Sequence, residues 1–249
     1  MKHLFAALCM LLLTAPALAA EAQGKAPDPA NAPAVRTLVL VRHGLYERDP
    51  QADERLGPHL APIGVAQAQL AGARLAGMPG HFDALWSSPV QRARDTAAVI
   101  AADFPGRRFE IVDDLAECTP PTRREDVMQR KTAEGLARCK AQLDRAFDRF
   151  FKPASGTPRT EMLVCHGNVI RYLVSRALGV DTMSWLEMSV RHASITTIRI
   201  EADGRFKVIA VGDSGHIPPN MQSGATGDPR RSLAIPPLPL VRDTQPAGT

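Results

Sequence analysis

Two apolar runs in this chain stop at a His-Gly pair: "LVLVRHG" ends at His43-Gly44 and "MLVCHG" at His166-Gly167. Arg42 precedes the first histidine, Arg92 sits in "SSPVQRARDTA", and Glu117 closes "DDLAE". Two histidines, two arginines and one carboxylate would make a small cationic pocket suited to a phosphoryl group. Arginine presents a planar fork that holds phosphate oxygens in pairs. A neutral imidazole can attack phosphorus and carry a covalent intermediate. A carboxyl group can protonate the leaving oxygen and then take a proton from attacking water. Gly44, Gly167 and Asn168, next to the histidines, join Arg42 and Arg92 as the expected substrate-binding set.

These residues need elements that bring them together. "TLVLV" (37–41), "FDALWSS" (82–88), "RFEIVDD" (108–114) and "EMLVCH" (161–166) read as strands. Between them, 62–77 and 89–104 read as helices that open on Pro62 and Pro89, where a missing N–H costs nothing. Helical character returns over about 124–151 and again over 168–179, ended by Gly179. "ASITTIRIEA" and "RFKVIAVGD" read as a hairpin around Asp203-Gly204. Buried strands alternating with helices imply an α/β class: a three-layer α/β/α sandwich with a mostly parallel sheet. Ligands of such sheets bind beyond the carboxyl ends of the strands, where both His-Gly pairs fall. Helix N-termini beside Pro89 and after Gly167 would add N–H donors for an anion.

The 249 residues are 45% hydrophobic and carry a formal net charge of +4, ordinary values for one globular core. Few aromatics and no sustained basic stripe argue against a nucleic-acid partner. Residues 1–20, a basic start, an apolar run and "ALA", read as a secretory signal peptide cleaved after Ala19 or Ala20. That implies a periplasmic or secreted protein with no stable membrane insertion; an uncleaved N-terminal anchor is the alternative. Residues 21–35 read as a flexible linker, 36–218 as the folded domain with an insertion at about 118–151, and 219–249 as a Pro-rich disordered tail. Cleavage would remove Cys9 and leave three cysteines. Cys165 falls in a buried strand and reads as an inert core thiol, and Cys118–Cys139 is the expected bridge in an oxidising compartment.

"VRHG", "LAPIGVAQA", "SSPVQRARDTA", "LAE" and "VCHGNVIR" resemble, in order, the motifs of the histidine phosphatase (phosphoglycerate-mutase-like) superfamily. "LVRHGLY", "CHGNVIRYLVSRALG" and "GDSGHIPP" are similar to its mitochondrial serine/threonine protein phosphatase branch. The resemblance implies a phosphoglycerate-mutase-like fold and a phosphomonoester hydrolase without metal or other cofactor. It implies His43 as the nucleophile, Arg42, Arg92 and His166 around the phosphoryl oxygens, and Glu117 as the proton donor. The implied partner is a phosphorylated small molecule or phosphoprotein, and a dimer stays open.

Three departures accompany the resemblance, one being Asn168, where many members carry a small residue. Ala61 stands where the family often has a helix-capping Thr, a loss of about 1 kcal/mol. The short Trp-Asp-rich assembly motif of the branch is missing, so its higher oligomers are not expected. A mutase-type phosphotransferase and a non-catalytic phospho-ligand module are the rival readings. His59, His81, His192 and His216 read as residues on the surface or just behind the pocket, with His192 in "VRHASIT" the one most apt to approach it. Arg94 reads as solvated. Arg123, Arg124, Arg130, Lys131, Arg138 and Lys140 could guide an anionic substrate over the site, or read as a solvated helix balanced in part by Glu125, Asp126 and Glu134, the reading preferred.

Overall fold

The structure is a computed structural model that describes residues 29–224. A short pairing opens it: β1 (Pro33–Ala34) runs antiparallel to β5 (Ala154–Ser155). The central sheet holds β2 (Arg36–Arg42), β3 (Ala84–Ser87), β4 (Glu110–Ile111), β6 (Arg159–Cys165), β7 (Ile195–Ile200) and β8 (Phe206–Asp213). Their spatial order is β4-β3-β6-β2-β7-β8, parallel from β4 to β2 and antiparallel through β7 and β8. This is the mixed, mostly parallel sheet expected from the alternating pattern.

Strand β2 shows how one sequence faces two helical layers, because successive side chains of a strand point to opposite faces. Leu38 and Leu40 pack toward α4 (Ala133–Phe150) and α5 (Gly167–Ala177). Val39 and Val41 pack toward α1 (Pro62–Ala76) and α2 (Gln91–Ala101). All four are fully buried, so the three-layer sandwich follows directly from an unbroken apolar strand.

Several expectations are corrected. The 108–114 strand shrinks to two exposed residues at the sheet edge, with a short 3-10 turn at Asp113–Leu115. The 118–151 stretch is more than an insertion. A short α3 (Glu125–Met128) stops, and α4 restarts at Thr132, whose side chain accepts the Gly135 N–H at 3.1 Å. Leu136, Cys139, Leu143, Phe147 and Phe150 recur at helical spacing and complete one face of the core.

Ordered structure also passes both expected domain limits. Pro33 and Ala34 pair within the stretch read as linker, and Pro219–Met221 forms a turn within the stretch read as tail. Residues 1–20, with the expected signal peptide and Cys9, lie outside the described residues, as do 225–249. Among the described residues no helix is long and apolar enough to cross a membrane.

Candidate active site

His43 leaves the carboxyl end of β2 and His166 that of β6, two adjacent parallel strands. The ladder carries one step further, with the His43 N–H donating to the Cys165 carbonyl at 3.0 Å. The two rings meet at 5.0 Å between centroids, and both are buried. His192 lies on the other side of His43, at 5.4 Å.

The partners of His43 settle its tautomer. Nδ1 is 2.8 Å from the Gly44 carbonyl oxygen, which can only accept, so Nδ1 carries the proton. Nε2 accepts from the Arg92 Nε–H at 3.1 Å, so its lone pair points into the site. Burial, then His166 and Arg42, hold the ring well below the ordinary histidine range and keep it neutral.

Arg92 is set by α2 and lies over the Tyr46 ring at 4.7 Å. Thr96, one turn further on, donates to the Arg92 carbonyl at 2.7 Å and accepts the Gly44 N–H at 3.0 Å. That bond engages the Gly44 N–H, so Gly44 orients the His43 ring and does not offer that donor to a ligand. It must also be small: a Cβ there would run into the Gly64 carbonyl oxygen.

Arg42 gives Nη1 to the Val190 carbonyl at 2.6 Å and the Gly224 carbonyl at 2.9 Å, and Nη2 to His192 Nε2 at 2.9 Å. Among the described residues its Nε has no partner. Burial lowers its pKa to about 10, which leaves it charged. Gly167 makes room for it, since a Cβ would sit 3.3 Å from Arg42 Nε. Arg171, buried on α5, adds a third cation and donates Nε–H to the Met188 carbonyl at 2.8 Å.

His166 is the N-cap of α5, and Ser88 Oγ lies 2.7 Å from its Nε2. Glu117 Oε2 approaches its Nδ1 to 3.4 Å without a formed hydrogen bond. Burial pushes the Glu117 carboxyl up to about 7, against the opposing pull of Arg92 and Arg42. Asn168 differs from expectation: its Nδ2 donates to the Cys118 carbonyl at 3.0 Å, fixing the loop that carries Glu117. The Cys118–Cys139 bridge forms, with its Cα atoms 5.6 Å apart, and ties that same loop to α4. Cys165 is free and buried, its thiol pushed up by desolvation.

Three buried polar atoms without a partner among the described residues therefore lie around His43: Arg42 Nε, His166 Nδ1 and Glu117 Oε1. Such atoms are costly unless a ligand supplies the missing bonds. Donor atoms of His43, Glu117 and His166 all lie within 4.8 Å of one another, a separation a metal ion could bridge. Arg42, Arg92 and Arg171 crowd the same space, however, and their charge suits an anion better than a cation.

Residues not singled out from sequence are Tyr46, Gln67, Ser88, Thr96, Arg171 and Ser223. Ser88 had a legible signal, a Ser directly before Pro at a helix start. Ser223 had none, being in a Pro- and Gly-rich stretch. Arg94, His59 and His81 are exposed, and His59 pairs with Asp95 at 2.8 Å. Arg123, Arg124, Arg138 and Lys140 form ion pairs with Asp181, Asp126, Glu134 and Asp144, so most of that basic stretch is neutralised locally.

Residues 38–213 match the family model of the histidine phosphatase superfamily (branch 1). The chain belongs to this superfamily. It is 34% identical over 207 residues to the mitochondrial serine/threonine-protein phosphatase Pgam5 of Caenorhabditis elegans, covering 80% of this chain and 70% of that protein. It is 32% identical over 197 residues to the human protein of the same name, covering 78% and 68%. A phosphoglycerate mutase from Bacillus anthracis shares the fold, with a TM-score of 0.56 at 20% identity over 74% of this chain and 96% of that one.

The superfamily and these relatives support phosphatase activity on a phosphorylated substrate. They overturn the expected location. The relatives are mitochondrial by name, in conflict with a signal peptide and with a periplasmic or secreted protein, and the exported reading is withdrawn.

Proposed function

We propose that this chain is a metal-independent phosphomonoester hydrolase that works through a phosphohistidine on His43. The carrying observation is the His43 tautomer: Nδ1–H is held by the Gly44 carbonyl, leaving the Nε2 lone pair on the site. On binding, the phosphoryl group takes the place of that lone pair as the Arg92 partner. Its oxygens accept from Arg92 and from the unpartnered Arg42 Nε–H.

Nε2 attacks phosphorus as the ester P–O bond breaks, and Glu117 gives its proton to the leaving oxygen. A carboxyl group near pKa 7 is well suited to this, being protonated in a useful fraction at neutral pH. Nδ1–H stays on the Gly44 carbonyl and steadies the charged phosphoimidazole. Water then attacks phosphorus, Glu117 takes its proton, the P–N bond breaks and Nε2 recovers its lone pair. Arg42, Arg92 and His166 stabilise charge on the phosphoryl oxygens in both transition states.

The relatives' names as serine/threonine-protein phosphatases support a phosphorylated hydroxyl side chain as the ester. A pure binding module would need neither the oriented Nε2 lone pair nor the poised carboxyl. The reading is tested with p-nitrophenyl phosphate in the presence of EDTA, wild type beside His43→Ala. Turnover that survives EDTA and is lost in the variant is expected. Near wild-type turnover in His43→Ala would sink the mechanism.

A further inference from the structure

The last described segment, expected to be loose tail, is wired into the site. Gln67, fully buried on α1, accepts the Leu45 N–H through Oε1 at 2.9 Å. Its amide nitrogen must then donate, and it does so to the Met221 carbonyl at 2.6 Å and to Ser223 Oγ at 2.9 Å. Ser223 Oγ also lies 2.9 Å from His192 Nδ1, and the Ser223 carbonyl accepts the His192 N–H at 2.9 Å. Gly224 follows with φ +74°, a left-handed backbone that favours glycine, and its carbonyl accepts from Arg42. A Cβ on Gly224 would come within 2.6 Å of the His192 ring and 2.9 Å of Arg42 Nη1.

This chain of bonds allows one proton arrangement. Arginine has no acceptor, so His192 Nε2 must accept from Arg42 Nη2. The His192 proton is therefore on Nδ1 and is donated to Ser223. Both terminal nitrogens of Arg42 are then held, by Val190, Gly224 and His192, while Nε–H is left for the ligand.

Resting on the phosphatase reading above, we propose that His192 and Ser223 are positioning residues that aim the Arg42 guanidinium at the phosphoryl group. Ser223 sets the His192 tautomer, and His192 in that tautomer sets Arg42. Burial, then Arg42 and Arg92, lower the His192 pKa to about 2, so the ring stays an acceptor at neutral pH. A guanidinium fixed before binding loses less freedom when the phosphate arrives.

The test uses the full chain and inorganic phosphate as probe, its Kd read by titration calorimetry so that no turnover is needed. Turnover of p-nitrophenyl phosphate and thermal unfolding are measured alongside for wild type, His192→Ala, His192→Gln and Ser223→Ala. His192→Ala is expected to weaken phosphate binding by about tenfold or more, the value of a lost bond to a charged group. His192→Gln, which can place a carbonyl oxygen near the lost Nε2, is expected to stay within about threefold. Ser223→Ala, which frees the ring proton, is expected to fall between them.

An unchanged Kd in folded His192→Ala would overturn the proposal. So would equal losses in His192→Gln and His192→Ala, which would reduce the role to packing. If His192→Ala fails to fold, an unchanged Kd in Ser223→Ala overturns it instead. Wild type that binds phosphate but never turns over would defeat the phosphatase reading alone. Normal turnover with unmoved Kd values would defeat this proposal alone.

Discussion

Replacing Glu117 by Gln probes the proposed proton donor and its environment together. The carboxyl sits near pKa 7, raised by burial, so it is about nine-tenths protonated at pH 6 and about one-tenth at pH 8. The sign follows directly. A general acid must enter the reaction protonated, so kcat/KM falls as pH rises through 7, approaching tenfold per unit above it. The ester's own second ionisation, near pH 6, adds a limb that every variant shares.

Gln keeps the size and loses the proton. With an alkyl or phenyl phosphate, whose leaving oxygen needs protonation, the variant should lose about 10²- to 10⁴-fold in kcat/KM. With p-nitrophenyl phosphate, whose leaving group departs as a stable anion, the loss should be far smaller. The assay is a pH series from 5 to 9 on both esters, for both proteins. An alkaline limb at about 7 that persists in Glu117→Gln, or equal losses on the two esters, would refute the assignment.

Other expectations rest on separate parts of the molecule. Reducing the Cys118–Cys139 bridge should cost about 3 kcal/mol, since it closes a loop of separation 21, and should lower the unfolding temperature measured with and without dithiothreitol. The same reduction should lower kcat, because the bridge adjoins Glu117. At the opposite end of the sheet Glu161 is buried, accepting from Arg36 at 2.8 Å and from Trp86 Nε1 at 2.9 Å. Glu161→Ala strands the Arg36 charge, so about 3–5 kcal/mol of stability should disappear in denaturant titration. Acid should also destabilise the fold. His43, His166 and His192 are neutral when folded and take up protons on unfolding, so stability drops below about pH 6.5, by about 2 kcal/mol at pH 5 for His192 alone. Glu117, protonated to a higher pH when folded, opposes part of that loss, and melting curves between pH 5 and 7.5 measure the net effect.

Much of the site was legible because its residues follow strands. Apolar runs ending in His-Gly mark both the sheet and its functional edge, so Arg42, His43 and His166 could be found together. Glu117 was found from its motif alone, since its loop owes its place to α4 and to the bridge. The 118–151 stretch was misjudged because its charges were read before its Leu136, Leu143, Phe147 and Phe150 stripe. Asn168 and Gly44 were expected on substrate; in the structure the Asn168 Nδ2 donates to the Cys118 carbonyl and the Gly44 N–H to Thr96. Ser223 and Gly224 had no local signal at all: their place depends on Gln67 and His192, far away in sequence. The Cys118–Cys139 pairing forms although the oxidising compartment that motivated it is withdrawn.

In the proposed mechanism the phosphoryl group is carried on His43 Nε2. Rapid mixing with substrate, an alkaline quench that preserves phosphohistidine, and peptide mass spectrometry would address it directly. One phosphoryl group is expected on the His43 peptide of wild type and none in His43→Ala. Steady turnover with the group found on another residue, or on none under conditions where the intermediate accumulates, would contradict it.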